Sequence, residues 1–228
     1  MKKTIKSILA KRFYLEVSRI NKNPKEVPIS LVNSHGLRFV HFYDLVRKIN
    51  DIQGNIVECG VGWGRSLYAF SLFESVLNKG RHIYGFDSFE GFPEPSKEDE
   101  PALYGIKKGR YRTNEESVVK HLTNSGISKT FIDRKVTLVK GFFESTLKQY
   151  DNNSIALLHL DVDLYKSYKD CLEYLYPSVA KGGIVAFDEY QSTTKYSGCK
   201  KAVDEFLNGK EKLIKSDIID RYYFIKGK

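Results

Sequence analysis

The stretch "NIVECGVGWGRSLYAFSLFESVLNKGRHIYGFD", Asn55 to Asp87, decides the fold. It opens with an apolar run of strand length (Asn55–Cys59) and enters a turn carrying Gly60, Gly62 and Gly64. It then continues with Leu67, Phe70, Ser71, Leu72, Phe73 and Leu77, which recur at helical spacing from Arg65 to Asn78. Gly80 closes that helix, and a second apolar run, His82–Asp87, follows. Strand, glycine turn, helix and strand in this order form a βαβ unit, which requires parallel strands with a helix packed across them.

The same rhythm extends towards the C-terminus. Strands are predicted at "VTLVKG" (136–141), "IALLHLDV" (155–162) and "GIVAFDEY" (183–190). One helix is announced by "TNEE", with Thr113 and Glu116 as a capping box. Another begins near Ser167, presents Leu172, Leu175, Tyr176 and Val179 on one face and stops at "KGG", and a third is "CKKAVDEFL". The closing "KLIKSDIIDRYYFIKGK" reads as a hairpin of two apolar runs about a polar break. The expected fold is therefore α/β: a Rossmann-like, doubly wound, mostly parallel sheet with helices on both faces and an antiparallel C-terminal hairpin. A single domain spans 1–228, with a helical or lid segment over 1–50. The aperiodic stretch 92–117, with Pro93, Pro95 and Pro101, is a long loop over the site, because loops of this length in compact domains tend to be functional.

Composition narrows the function classes. The chain has 228 residues, 41% apolar content and a net charge of +9, and it has no run near the roughly 18 apolar residues that span a bilayer. Its start interrupts apolar residues with Lys6, Lys11 and Arg12, unlike a signal peptide. Cys59, Cys171 and Cys199 lack metal-ligand spacing and read as thiols of a reducing compartment, so the expected location is cytoplasmic. The lysines are scattered rather than striped, so no nucleic-acid partner is expected; an anionic substrate is compatible with the charge. Ile5, Ile8, Leu9 and Phe13 with interleaved lysines suit a basic amphipathic helix. Such a helix serves a peripheral membrane contact, a homo-oligomer contact or plain packing on its own domain.

Ligands of open parallel sheets bind beyond the carboxyl ends of the strands. Those ends read "VECGVGWGRS", "GFDSFEGFP", "KGFFEST", "HLDVDLY" and "AFDEYQS". The glycine turn fails the dinucleotide fingerprint, whose third glycine would stand at Arg65. Glu58 would repel a pyrophosphate but can pair with an ammonium group, and Asp87 stands where an acid accepts ribose hydroxyls. Both favour S-adenosylmethionine, with its zwitterionic end and its nucleoside. If the fourth and fifth strands are neighbours, Asp161, Asp188 and Glu189 converge, and carboxylates held that close need neutralisation, raised pKa values or a cation. All-oxygen donors suit Mg²⁺ or Ca²⁺. Asp163 reads either as a helix cap or as support for Asp161. His159 shares the face of Asp161 and reads first as a buried, hydrogen-bonded histidine, while His35 is a candidate for the N-terminal lid.

Taken together, "IVECGVGWGRS", "YGFDSFEGFPEP", "LHLDVDLYKS", "GGIVAFDEY" and "GCKKAVDEFL" resemble the macrocin O-methyltransferase family over about residues 34 to 210. The resemblance implies a class I methyltransferase using S-adenosylmethionine and Mg²⁺ to methylate a sugar hydroxyl of a small molecule or glycan. By position it implies donor contacts from Glu58, Gly60, Val61, Gly64, Ser66, Asp87, Ser88, Gly141, Phe142 and Phe143. It implies metal ligation by Asp161, Asp188 and Glu189, with Asp161 also assisting deprotonation. The chain departs from the family pattern in having Glu189 where a second aspartate is common, and in the order of its glycine turn. Two other readings remain open: a catechol-type metal-dependent O-methyltransferase, and a non-catalytic basic adaptor on a Rossmann scaffold.

Overall fold

The computed structural model describes residues 34–100, 106–150, 153–192 and 195–228. The chain groups into two units, Met1–Leu37 and Arg38–Lys228, and the second carries the fold. The basic amphipathic pattern over residues 5–13 lies outside the described residues.

Helix α1 (Ser34–Lys48) leads into β1 (Asn55–Cys59), α2 (Arg65–Leu77) and β2 (Ile83–Asp87). Then come α3 (Glu115–Asn124), α4 (Lys129–Lys135), β3 (Val136–Lys140), the single turn α5 (Phe143–Thr146), β4 (Ile155–Leu160) and α6 (Tyr165–Leu175). The chain ends with β5 (Val179–Phe187), α7 (Ser197–Leu207), β6 (Ile214–Lys215) and β7 (Tyr222–Ile225). The seven strands lie in the order β3-β2-β1-β4-β5-β7-β6. Strands β1 to β5 are parallel, and β7 runs antiparallel to both β5 and β6, as the terminal hairpin requires.

Strand alternation splits the core into two layers. Ile56, Leu157, Ile184 and Ala186 pack with Phe42, Leu45, Phe70, Val118 and Leu122 on the face covered by α1, α2 and α3. Val57, Leu158, Leu160, Val185 and Phe187 pack with Tyr168, Leu172, Cys199 and Val203 beneath α6 and α7. Burial on both faces is why these strands read as continuous apolar runs. The three cysteines are free and buried. No helix among the described residues is long and apolar enough to cross a membrane.

Three local expectations need correction. Asn114, not Thr113, caps α3: its side chain accepts the Ser117 N–H at 2.8 Å, while the buried Thr113 hydroxyl has no partner among the described residues. Tyr176 and Val179 lie beyond α6, because Pro177 ends the helix in a 3₁₀ turn and β5 already starts at Val179. Asp163 is not the cap of α6; that position is Leu164, without a side-chain cap. The free Tyr165 N–H is instead bound by Asp99 Oδ1 at 2.8 Å, from the loop after β2.

Candidate functional site

The strand order reverses between β1 and β4, so the crevice of the sheet opens at Cys59 and Leu160. Glu58, near the end of β1, is fully buried beside its register partner His159 on β4. Its Oε1 receives the Ser66 hydroxyl, from the first turn of α2, and lies 3.1 Å from His159 Nδ1. His159 packs edge-on against Phe42 and Phe70, as expected for a buried, hydrogen-bonded histidine. The second oxygen, Glu58 Oε2, is buried without a hydrogen-bond partner among the described residues. An unpaired buried carboxylate oxygen costs roughly 1–3 kcal/mol or more. A cationic N–H group would satisfy it, which is the fit expected of a donor with an ammonium end.

The turn from Gly60 to Gly64 holds three glycines in the left-handed region, with φ of 86°, 53° and 79°. Gly60 permits the closest approach: a Cβ there would fall 1.9 Å from the Asp161 carbonyl oxygen. The glycine turn and the start of the β4 loop are thus pressed back to back, joined by Asp161 N–H donating to the Cys59 carbonyl at 3.0 Å. Val61 is buried beneath the turn, while Trp63 at its tip is 57% exposed. Asp87, at the end of β2, accepts the Gly62 N–H at 2.8 Å and the Phe89 N–H at 2.6 Å. Burial raises its pKa against the pull of these backbone bonds. Ser88 Oγ donates to the Gly91 carbonyl, and Gly141 N–H donates to the Asp87 carbonyl at 2.9 Å, which brings Gly141, Phe142 and Phe143 beside Asp87.

Beyond β4 and β5 lies the carboxylate cluster. Oxygens of Asp161, Asp163 and Glu189 all fall within 4.8 Å of one another. Asp188 borders this cluster but carries its own counter-charges: it is paired with Arg38 of α1 at 2.8 Å and with Arg221 Nε, ahead of β7, at 3.0 Å. Arg38 also reaches Asp161 Oδ2 at 3.2 Å. Burial would raise Asp188, yet the two guanidinium groups hold its carboxyl below the usual range. Burial, then the neighbouring Asp188 charge, pushes Asp161 up to about 6. Burial and the surrounding carboxylates push Asp163 and Glu189 well above their ordinary values. Glu189 is further held by the buried Tyr168 hydroxyl.

Ionised together, the four carboxylates would exceed the two guanidinium groups by two negative charges, which is why burial favours the protonated forms of Asp163 and Glu189, and the donors are all hard oxygens. That balance fits one divalent ion of the Mg²⁺ class. Asp163 joins this cluster in place of Asp188, because its left-handed backbone (φ 59°) re-aims the side chain. A non-glycine residue held in that region is a form of strain that concentrates at functional sites. Arg38, Arg221 and Tyr168 carry no local sequence signal, since each reaches the cluster only through the tertiary fold. His35 lies in the first turn of α1, and its side chain is outside the described residues.

The family described as Macrocin-O-methyltransferase (TylF) matches residues 17–223. Demethyldecarbamoylnovobiocin O-methyltransferase of Streptomyces niveus is 31% identical over 165 residues, which cover 69% of this chain and 59% of that protein. Mycinamicin III 3''-O-methyltransferase of Micromonospora griseorubida is 26% identical over 163 residues, covering 68% and 61%. The matched stretches therefore span about three-fifths of these relatives. Among solved structures, the calicheamicin methyltransferase CalS11 superposes with a TM-score of 0.75 at 27% identity, over 93% of this chain and 91% of that one.

Proposed function

This chain belongs to the macrocin O-methyltransferase family, and from that membership we propose that it transfers the methyl group of S-adenosylmethionine to a sugar hydroxyl, assisted by Mg²⁺. One observation carries the reading: the orphaned Glu58 Oε2 and the under-neutralised carboxylate cluster lie at the same edge of the sheet, on either side of the contact between Gly60 and Asp161. The first calls for a cationic donor end and the second for a divalent ion. The sugar acceptor is supported by a further relative, of Streptomyces olivaceus, which is named as the 4'-O-methyltransferase of a dimethoxy-rhamnosyl tetracenomycin.

S-adenosylmethionine supplies an electrophilic methyl group on a sulfonium, which leaves as a neutral thioether. In this reading Glu58 pairs with the donor's ammonium group. Asp87 receives the ribose hydroxyls, and Gly60, Val61, Gly64, Ser66 and Ser88 shape the cradle. Gly141 to Phe143 flank it next to Asp87. Asp161, with Glu189 and either Asp163 or Asp188, would hold the metal. The two guanidinium groups on Asp188 favour Asp163 as the third ligand in the arrangement described. A bound Mg²⁺ supplies Lewis acidity that lowers the pKa of a coordinated hydroxyl. In this reading Asp161, whose pKa burial and the Asp188 charge raise towards neutrality, accepts the hydroxyl proton. Holding the oxygen in line with the methyl carbon contributes through proximity, because it removes an orientational search from the barrier.

The test is methyl transfer to a panel of free, phosphorylated and glycosidic sugars, with and without exhaustive chelation. Product that forms equally after chelation removes the metal from the scheme, and product from catechol alone replaces the sugar with a diphenol.

A further inference from the structure

The long loop after β2 ends in "KKGRYR", Lys107 to Arg112, four cations in six residues with no acid among them. Lys107, Lys108 and Arg112 are exposed, and none of them is paired with a carboxylate among the described residues. A solvated basic loop needs no particular position, but this one is held at two points. Phe92 N–H donates to the Arg110 carbonyl at 3.0 Å and Gly109 N–H to the Phe92 carbonyl at 2.9 Å, and Phe92 meets the Tyr111 ring edge-on. These contacts fasten the loop to the segment that follows the donor-side residues Asp87 and Ser88. On the other side, the Tyr111 hydroxyl lies 3.3 Å from that of Tyr196, which in turn interacts with the Asp163 carboxylate. Lys195 stands over the Tyr196 ring at 4.5 Å and adds a fifth cation. The loop therefore joins the segment that follows Asp87 and Ser88 to Tyr196 beside Asp163, with Lys107, Lys108 and Arg112 exposed.

We propose that Lys107, Lys108, Arg110, Arg112 and Lys195 form a subsite for a phosphate or diphosphate carried by the acceptor, so that the methylated sugar is a phosphorylated or nucleotide-linked one. A crevice floored by four carboxylates repels an anion, and a neutral glycoside would need no counter-field at its mouth. An anionic acceptor needs both: its hydroxyl directed to the acids and its phosphate drawn to the cations. Lysine and arginine on a glycine-containing loop are suited to phosphate oxygens, arginine through its paired donors. This inference rests on the proposed sugar methylation for its use, but the anion site can be measured without turnover.

The experiment is calorimetric titration of the full chain, saturated with S-adenosylhomocysteine, with inorganic pyrophosphate, UDP-glucose, glucose 1-phosphate and methyl glucoside. It is repeated on K107A/K108A/R112A, whose side chains are exposed and whose loss leaves the core intact. The expected result is that the anionic probes bind more tightly than methyl glucoside, weaken as salt rises, and lose at least about tenfold in affinity in the variant, the scale of one or two charge-assisted contacts. Donor affinity stays unchanged. A preference for UDP-glucose over glucose 1-phosphate identifies a nucleotide-linked acceptor, and the reverse a sugar phosphate. Equal binding of neutral and anionic probes, or an unaffected variant, overturns the subsite even if neutral sugars are methylated. Salt-sensitive binding that the variant loses, with no sugar methylated, upholds the subsite and instead removes the proposed reaction.

Discussion

Replacing Gly60 by alanine tests the contact that joins the two halves of the site. At φ 86° an L-residue is strained, by roughly 1–2 kcal/mol. The added Cβ would also stand 1.9 Å from the Asp161 carbonyl oxygen and 2.7 Å from its carbonyl carbon, where carbon contacts normally begin near 3.5 Å. Both neighbours are backbone, so relief requires the β1 turn and the β4 loop to separate, an overpacking cost of about 1–3 kcal/mol. The expected destabilisation is about 2–5 kcal/mol, or roughly 5–15 °C in melting temperature for a chain of this size. Gly62→Ala is the control: its φ of 53° carries the same kind of strain, but a Cβ there meets nothing within 4 Å. It should lose only about 1–2 kcal/mol. Urea unfolding with an unchanged slope measures both. Equal midpoints for the two variants would refute the steric argument and with it the claim that Gly60 seats Asp161.

Three further outcomes are expected. Glu58→Gln keeps the shape but removes the charge facing the orphaned oxygen's site, so S-adenosylmethionine affinity should fall by about 10- to 150-fold, the range of a charged hydrogen bond; equilibrium dialysis reads this, and unchanged affinity would move the ammonium elsewhere. Asp99→Ala removes the acceptor of the Tyr165 N–H and of Ser96, and should cost about 1–2 kcal/mol of stability in thermal unfolding. His41 is buried against Ser216 at 3.0 Å, and burial, then repulsion by His159, lowers its pKa to about 4. Because the folded value lies below the unfolded one of 6.5, its contribution is complete above pH 6.5 and is lost as pH falls towards 4. About 2 kcal/mol is expected after allowance for screening. His41→Gln should flatten that part of the pH–stability curve relative to wild type, and a parallel curve would argue against it.

The strands β1, β2 and β4 were legible because burial makes each a short apolar run, with an acid at or next to its end. Asp161, Asp188 and Glu189 could be picked out by the same logic, at the ends of strands that the fold makes neighbours. What those acids contact was not legible. Asp188 finds Arg38 from a helix 150 positions earlier and Arg221 from the hairpin 33 positions later, pairings that no local pattern encodes. Asp163 was ambiguous because its role depends on a left-handed backbone, which aspartate tolerates but does not announce in the sequence. The cap of α6 escaped notice because it comes from Asp99, 66 residues away. The early start of β5 was hidden because "KGG" reads as a helix stop, whereas Gly182 and Gly183 lie within the strand.

The most direct test of the proposed chemistry is the transfer of an isotopically labelled methyl group from S-adenosylmethionine to an activated-sugar panel, followed by mass spectrometry, for wild type and Asp161→Asn with donor affinity measured alongside. The account predicts a singly methylated sugar from wild type with Mg²⁺, none after chelation, and none from Asp161→Asn although that variant still binds the donor. Undiminished methylation by Asp161→Asn or by the metal-free wild type would contradict it.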